Sequence, residues 1–205
     1  MVFHKKTVRD IPLDNLTVLV RTNYDLPLNK QGELVDDFWI KSSLPTIEYL
    51  LDRGCKVVVI SHFGKPNGND KNYSLEPAAA RLATLLKKDI RFVSGVVGDG
   101  VFQAVKRAPC KSVIVLENLR FHSGEESNSD DFARQLVSST GARYFIQDGF
   151  GLVHKKSAST DAIAAFVPSV AGISVVDDYS SILKAINLIG LKNKINLPGI
   201  DVLLD

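Results

Sequence analysis

Four short polar segments carry the side chains of this chain that could do chemistry, and each follows an apolar run. The segments are Arg21-Thr22-Asn23-Tyr24-Asp25, His62 with Lys65, Arg120 with His122, and His154 with Lys155 and Lys156. Arginine and lysine donate charge-assisted hydrogen bonds to phosphate and carboxylate oxygens. If the four segments converge, they form a pocket of fixed cations that suits a small phosphorylated acid. The alternative is that each cation is an ordinary solvated loop residue, since exposed lysines are common.

The elements that must position these segments alternate between strand-like and helix-like patterns. Apolar runs predict strands, and helical spacing with capping residues predicts the helices between them. This alternation predicts an α/β fold: a three-layer, Rossmann-like domain with a mostly parallel sheet. Ligands bind just past the carboxyl ends of parallel strands, which is where all four segments fall. The predicted strands lie at 16–20, 56–61, 90–93, 112–117 and 143–147, with helices at 36–53, 74–87, 100–107 and 129–139.

The end of the chain departs from this regular pattern. We predict a last strand around 172–176 and a helix from about 180 to 189. The segment 194–205 contains a Pro-Gly turn signal and an apolar finish, so we expect it to pack rather than dangle. The predicted division is therefore a domain over 1–176, followed by a helix and tail over 177–205.

Composition narrows the classes of partner. The net charge is +2 and no long run of basic residues occurs, so we expect no nucleic-acid partner. No apolar run approaches the roughly 18–20 residues of a membrane span, and residues 1–15 lack an apolar signal core. We therefore expect a cytoplasmic protein without a membrane partner. Cys55 and Cys110 have no metal-binding or redox spacing, so we expect two reduced thiols in or near the core. We also expect no metal and no cofactor.

Several motifs in order resemble the phosphoglycerate kinase family. The segment 20–28 is similar to its Val-Arg-Val-Asp-Phe-Asn-Val-Pro-Leu, and 36–47 to its Asp-Asp-Thr-Arg-Ile-Arg-Ala-Ala-Leu-Pro-Thr-Ile. The segment 62–66 is similar to its His-Leu-Gly-Arg-Pro, and 147–159 to its Asn-Asp-Ala-Phe-Gly-Thr-Ala-His-Arg-Ala-His-Ala-Ser. The match runs from about 8 to 176 and implies the acid-substrate domain of that family. The segment 194–203 resembles the extreme carboxyl end of a complete family member, which implies a tail that folds back onto this domain.

The resemblance implies a set of substrate-binding residues, several of which depart from the family pattern. Asn23 and Asp25 are exchanged relative to the first loop of the family, and a carboxylate at 25 should repel an anionic ligand. Trp39 stands where the family has an arginine understood to stabilise the transferred phosphoryl group, and Ser157 stands where it has a histidine. We assign no catalytic residue. The implied substrate-binding set is Arg120, His62, Lys65, Lys155, Asn23 and Asp25, in which the two lysines replace arginines.

The resemblance also limits the expected activity. The nucleotide-binding half of the family is absent from these residues, and a neutral indole cannot supply the charge of an arginine. We therefore expect a phosphoglycerate kinase-like protein without kinase turnover that retains weak binding of 3-phosphoglycerate or a similar phosphorylated acid. One alternative is a non-catalytic interaction or regulatory protein with a vestigial pocket, whose protein partner is unknown. Another is the acid-substrate half of a split kinase.

Overall fold

Six strands form one sheet in which every pairing is parallel. In the computed structural model, which describes residues 3–27, 29, 31 and 34–188, the spatial order is β3-β4-β2-β1-β5-β6. This confirms the predicted parallel α/β sheet. The strands are β1 (Thr17–Arg21), β2 (Lys56–Ile60), β3 (Ile90–Val93), β4 (Val113–Leu116), β5 (Tyr144–Gln147) and β6 (Ser169–Ala171).

Helices cover both faces of this sheet, which gives the predicted three layers. Residues of α1 and α2 pack with Val20 and Val59 on one face, whereas residues of α3 and α4 pack with Leu19 and Val58 on the other. Because both faces are covered, the central strands are apolar at consecutive positions rather than at alternate ones. The helices are α1 (Phe38–Asp52), α2 (Glu76–Leu86), α3 (Asp99–Arg107), α4 (Asp130–Thr140) and α5 (Ile173–Leu188), the last of which packs beside α1.

Helix α4 shows how local sequence sets an element. The hydroxyl of Ser129 accepts a hydrogen bond from the backbone N–H of Phe132 at 3.3 Å, which satisfies one of the donors at the start of the helix. Gly141 ends the helix with a φ of 62°, a left-handed conformation that favours glycine. Sequence reasoning predicted both ends because each depends on neighbouring residues.

The last predicted strand is wrong. The sixth strand is Ser169–Ala171, and α5 already begins at Ile173, so residues 173–176 form the start of a helix. The division of the chain after 176 stays a prediction. Side chains from elsewhere satisfy the first backbone donors of α5: the N–H of Ile173 donates to the Thr46 hydroxyl at 2.9 Å, and that of Ser174 to an Asp148 carboxyl oxygen at 3.2 Å. The tail residues expected to bury apolar surface lie outside the described residues; they are Leu197, Ile200, Val202 and Leu203.

Three further observations concern the sulfur atoms, metal ligands and membrane spans. Both cysteines are free thiols, and Cys55 is buried whereas Cys110 is exposed, so only the first lies in the core. Within the described ranges, no cluster of histidine, cysteine and carboxylate side chains could hold a metal ion. No helix in the described part of the chain is long and apolar enough to cross a membrane.

Candidate functional site

A cavity of about 310 Å³ lies at the carboxyl ends of the central strands. Arg21 ends β1, His62 follows β2, and Arg120 lies in the 3₁₀ turn Leu119–Phe121 after β4. The loop after β5 brings Lys155 to the same cavity. The predicted convergence of the four polar segments therefore occurs, because neighbouring parallel strands end at one edge of the sheet.

The structure brings together three of the six expected substrate-binding residues. His62, Arg120 and Lys155 line the cavity. The other three, Asn23, Asp25 and Lys65, are not among its lining residues.

Each of those three residues lies elsewhere near the same edge. The Asp25 carboxylate accepts a hydrogen bond from the backbone N–H of Gly64 at 2.8 Å, and Lys65 is exposed to solvent. Asn23 is half-buried against Gly149, where an added Cβ would lie 3.4 Å from the Asn23 Cβ. Their part in ligand binding stays a prediction.

The residue whose importance sequence reasoning missed is Arg21, whose guanidinium is fully buried. Its Nε donates to the Ser159 hydroxyl at 2.7 Å and its Nη1 to the Thr22 carbonyl at 2.6 Å. Its Nη2 lies 3.7 Å from the Glu125 carboxylate, which is buried as well. Burial lowers the pKa of Arg21 to about 10, and the Glu125 charge opposes that shift, so the guanidinium remains charged at neutral pH.

Glu125 ties two of the cavity loops together. Its carboxylate accepts hydrogen bonds from the Ser159 hydroxyl at 2.6 Å, the Ser159 N–H at 3.1 Å and the Ser157 hydroxyl at 2.9 Å. Its carbonyl accepts from the N–H of Ala158 at 3.0 Å. A buried carboxylate is stable only with such partners. The serine at 157 therefore serves to hold the loop of Lys155 against the segment of Arg120.

His62 is a neutral hydrogen-bond donor in this arrangement. Its Nδ1 lies 3.0 Å from Nη2 of Arg21, and because a guanidinium can only donate, Nδ1 must accept and Nε2 must carry the proton. Burial first, and then the charges of Arg21, Arg120 and Lys155, lower the pKa of His62 to about 2. The Nε2–H makes no hydrogen bond with a described residue, so this group can donate to a ligand in the cavity.

Arg120 is held by the turn in which it lies. The side chain of the buried Asn118 accepts from the Arg120 backbone N–H at 3.0 Å and donates to the carbonyl of Phe63 at 2.7 Å. The guanidinium Nη1 donates to the Gly64 carbonyl at 2.6 Å, and Nε lies 3.0 Å from a Glu126 carboxyl oxygen. Arg120 is therefore fixed on both sides, with only 14% of its side chain exposed.

The lysines of the cavity are placed differently. Lys155 and Lys156 are exposed, and neither ammonium group makes an ion pair with a residue in the described ranges. Trp39 does not line the cavity; its ring packs edge-on against Phe38 with centroids 5.1 Å apart. The cavity thus combines two anchored guanidinium groups and an imidazole N–H with two solvated ammonium groups.

A parallel α/β domain whose cations converge at the strand ends belongs to the Rossmann-like class. Comparison with known proteins gives its family. Residues 8–190 match the family described as Phosphoglycerate kinase. The chain belongs to the phosphoglycerate kinase family.

The relatives that it matches are considerably longer. It is 43% identical over 168 residues to phosphoglycerate kinase of Coprothermobacter proteolyticus, covering 82% of this chain and 42% of the relative. For the enzyme of Aquifex aeolicus the identity is 40% over 185 residues, covering 90% and 46%. The solved phosphoglycerate kinase of Pyrococcus horikoshii superposes with a TM-score of 0.80 at 26% identity, covering 93% of this chain and 47% of that one. The chain therefore spans less than half the length of these relatives.

Proposed function

We propose that this chain binds a small phosphorylated acid of the 3-phosphoglycerate type in the cavity lined by Arg21, His62, Arg120 and Lys155. The observation that carries the proposal is the geometry of the donors. Two guanidinium groups and the Nε2–H of His62 are anchored at the cavity by buried or partly buried hydrogen bonds. Charge-assisted hydrogen bonds of this kind suit phosphate and carboxylate oxygens. Membership of the phosphoglycerate kinase family supports the same ligand class.

Binding is weak and sensitive to salt in this proposal. Lys155 and Lys156 supply point charges on flexible stems, which cannot reproduce the two parallel hydrogen bonds of an arginine. Both are exposed, so dissolved ions screen their attraction for a ligand. Glu125 and Glu126 place two negative charges at the same cavity.

The 205-residue chain assayed alone carries out no kinase turnover in this proposal. Phosphoryl transfer depends on positioning and on electrostatic stabilisation of the moving group, and loss of one such stabiliser lowers the rate by about 10²–10³-fold. Trp39 stands at the position where the resemblance implies that arginine, and its indole packs against Phe38 outside the cavity. Lys65, where a second arginine is implied, does not line the cavity either.

Titration calorimetry with 3-phosphoglycerate tests the binding proposal, and glycerate is the matched control ligand because it lacks only the phosphate. We expect one weak site for 3-phosphoglycerate, weaker at high salt, and at least tenfold weaker binding of glycerate. Absence of binding by the parent protein at low salt would overturn the proposal in favour of a vestigial pocket.

A coupled assay with ATP, magnesium and 3-phosphoglycerate tests the absence of turnover. We expect no product above that of a mock preparation. Turnover that disappears in the Arg120→Ala variant, purified in the same way, would contradict this part of the proposal.

A further inference from the structure

One carboxylate already contacts the guanidinium that the proposed ligand needs. The Glu126 Oε1 lies 3.0 Å from Nε of Arg120, and Nη1 of the same guanidinium donates to the Gly64 carbonyl. Phosphates and carboxylates bind arginine in a bidentate manner through two neighbouring N–H groups. A ligand can bind either the edge that includes Nε or the edge that includes Nη1. Glu126 contacts the Nε of the first edge, and the Gly64 carbonyl accepts from the Nη1 of the second.

The two neighbouring carboxylates of this segment have different roles. The Glu125 side chain is 3% exposed and accepts several hydrogen bonds that hold the loops together. The Glu126 side chain is 65% exposed, and its carboxylate has no other ion pair or hydrogen bond with a described residue. Glu126 can therefore leave Arg120 by a rotation of its own side chain, without disturbing the buried cluster.

The balance of charges around the cavity makes the contact between Glu126 and Arg120 important for anion binding. Four cations line the cavity, Arg21, Arg120, Lys155 and Lys156, against the carboxylates of Glu125 and Glu126. The Glu125 carboxylate forms an ion pair with Nη2 of Arg21 at 3.7 Å. Of the two anchored guanidinium groups of the cavity, Arg120 has no counter-charge among the described residues other than Glu126. Moving Glu126 away therefore leaves the charge of Arg120 available to a ligand.

We propose that Glu126 is a built-in competitor of the anionic ligand: its carboxylate occupies Arg120 and must swing away before a phosphate can take that edge of the guanidinium. This inference rests on the proposed anion binding and adds the residue that sets its strength. Glu126 lowers the affinity of the cavity for every anion, because both its hydrogen bond and its negative charge oppose the ligand. The opposition is greater for a dianion than for a monoanion, since the repulsion scales with ligand charge.

The test compares Glu126→Gln and Glu126→Ala with Glu48→Gln, titrated with inorganic phosphate at pH 8 and low salt. Glu48 is exposed on α1 and does not line the cavity, so its variant controls for the change in net charge. We expect both Glu126 variants to bind phosphate about three- to fivefold more tightly than the parent, a range typical of an exposed ion pair. The gain should shrink in about 0.5 M salt, and Glu48→Gln should bind as the parent does. Melting curves would establish that all variants fold.

The outcomes separate this inference from the proposed function. If the parent binds phosphate and the Glu126 variants bind no more tightly than Glu48→Gln, the competitor role is wrong and the proposed function stands. If the parent shows no binding of phosphate whereas a Glu126 variant binds it, the competitor role is supported, and the titration of the parent with 3-phosphoglycerate decides the proposed function. If none of the proteins binds phosphate or 3-phosphoglycerate, the proposed function fails, and the competitor role fails with it.

Discussion

Two buried polar clusters lie side by side at the ends of β1 and β5, and only one of them opens into the cavity. In the first, Arg21 is paired with Glu125 and donates to His62. In the second, Asp148 accepts hydrogen bonds from Thr46 and Ser174. The two are joined directly, because the N–H of Asp148 donates to the carbonyl of Arg21 at 2.8 Å.

The clusters differ in whether their buried titratable group is ionised. Arg21 stays ionised because a buried counter-charge lies beside it, and it carries that charge to the cavity wall. Within the described residues, Asp148 has no cationic partner and its Oδ2 is unpartnered. Burial raises the pKa of Asp148 to about 7, against the opposing effect of the hydroxyl donors. The paired Arg21 can thus attract an anionic ligand, whereas the unpaired Asp148 tends to retain a proton and accepts the hydrogen bonds that hold α5.

Breaking the charge pair should have the largest effect. Arg21→Met leaves the Glu125 carboxylate buried without its counter-charge, so we expect a loss of about 3–5 kcal/mol in the free energy of unfolding. Urea unfolding at pH 7 measures this loss. Adding Glu125→Gln removes the orphaned charge and should restore part of the stability. A double variant as unstable as the sum of the two single variants would show that the pair is not coupled.

Changing pH should distinguish the second cluster from the first. The folded-state pKa of Asp148 is raised from 3.8 to about 7, so the folded protein holds a proton that the unfolded chain has lost. Stability should therefore fall as pH rises from about 4 to 7, by up to about 1.4 kcal/mol per pH unit from this group, and level off above 7. Asp148→Asn cannot titrate there, so the stability difference between variant and parent should shift in favour of the variant over this range. A difference that does not change with pH would mean that Asp148 is ionised throughout.

Anchored and solvated cations should contribute unequally to ligand affinity. Arg120→Ala removes a guanidinium fixed by Gly64, and we expect 3-phosphoglycerate to bind about 10–100-fold more weakly, as for a lost charged hydrogen bond. Lys155→Ala removes an exposed ammonium, and the expected loss is only about two- to fivefold. Calorimetric titrations measure both, with Lys88→Ala as a control because Lys88 is exposed and does not line the cavity. Equal losses of affinity for Arg120→Ala and Lys155→Ala would show that anchored and solvated cations contribute equally to binding.

The smallest expected effect concerns His62. Because its pKa lies near 2, the imidazole stays neutral between pH 5.5 and 8 and should donate from Nε2 throughout. Sulfate is the suitable probe, since it remains a dianion over this range, and His154→Gln removes the other imidazole of the cavity. We expect the sulfate affinity of this variant to stay constant. Binding that strengthens as pH falls through about 6.5, and still does so when Asp148→Asn is added to remove the titration of that acid, would mean that His62 becomes charged.

The fold was predictable where local patterns decide it. Consecutive apolar residues revealed the central strands, and Ser129 with Gly141 revealed α4. In the segment 172–176, the β-branched residues Ile173, Val175 and Val176 favour a strand, yet the segment begins a helix. The start of this helix is stabilised by hydrogen bonds to Thr46 and Asp148. Both residues are distant in sequence, so the residues around 173 do not indicate a helix start.

The site was predictable to a similar extent. Motif resemblance found His62, Arg120 and Lys155, because these residues keep their places in recognisable segments. It did not find the structural role of Arg21 or Glu125. A charged residue at the end of an apolar strand is a weak signal that it is buried, and its partner lies in a loop far along the chain. The competing carboxylate of Glu126 depends on a side-chain contact that only the folded structure reveals.

A crystal structure of this chain soaked with 3-phosphoglycerate would test directly whether the cavity binds a phosphorylated acid at Arg120 and His62. We expect a ligand with an oxygen within hydrogen-bond distance of the Arg120 guanidinium, a second acceptor near Nε2 of His62, and the Glu126 carboxylate turned away. Ligand density elsewhere on the surface, or water alone between Arg120 and His62 at a ligand concentration that saturates binding in solution, would contradict this expectation.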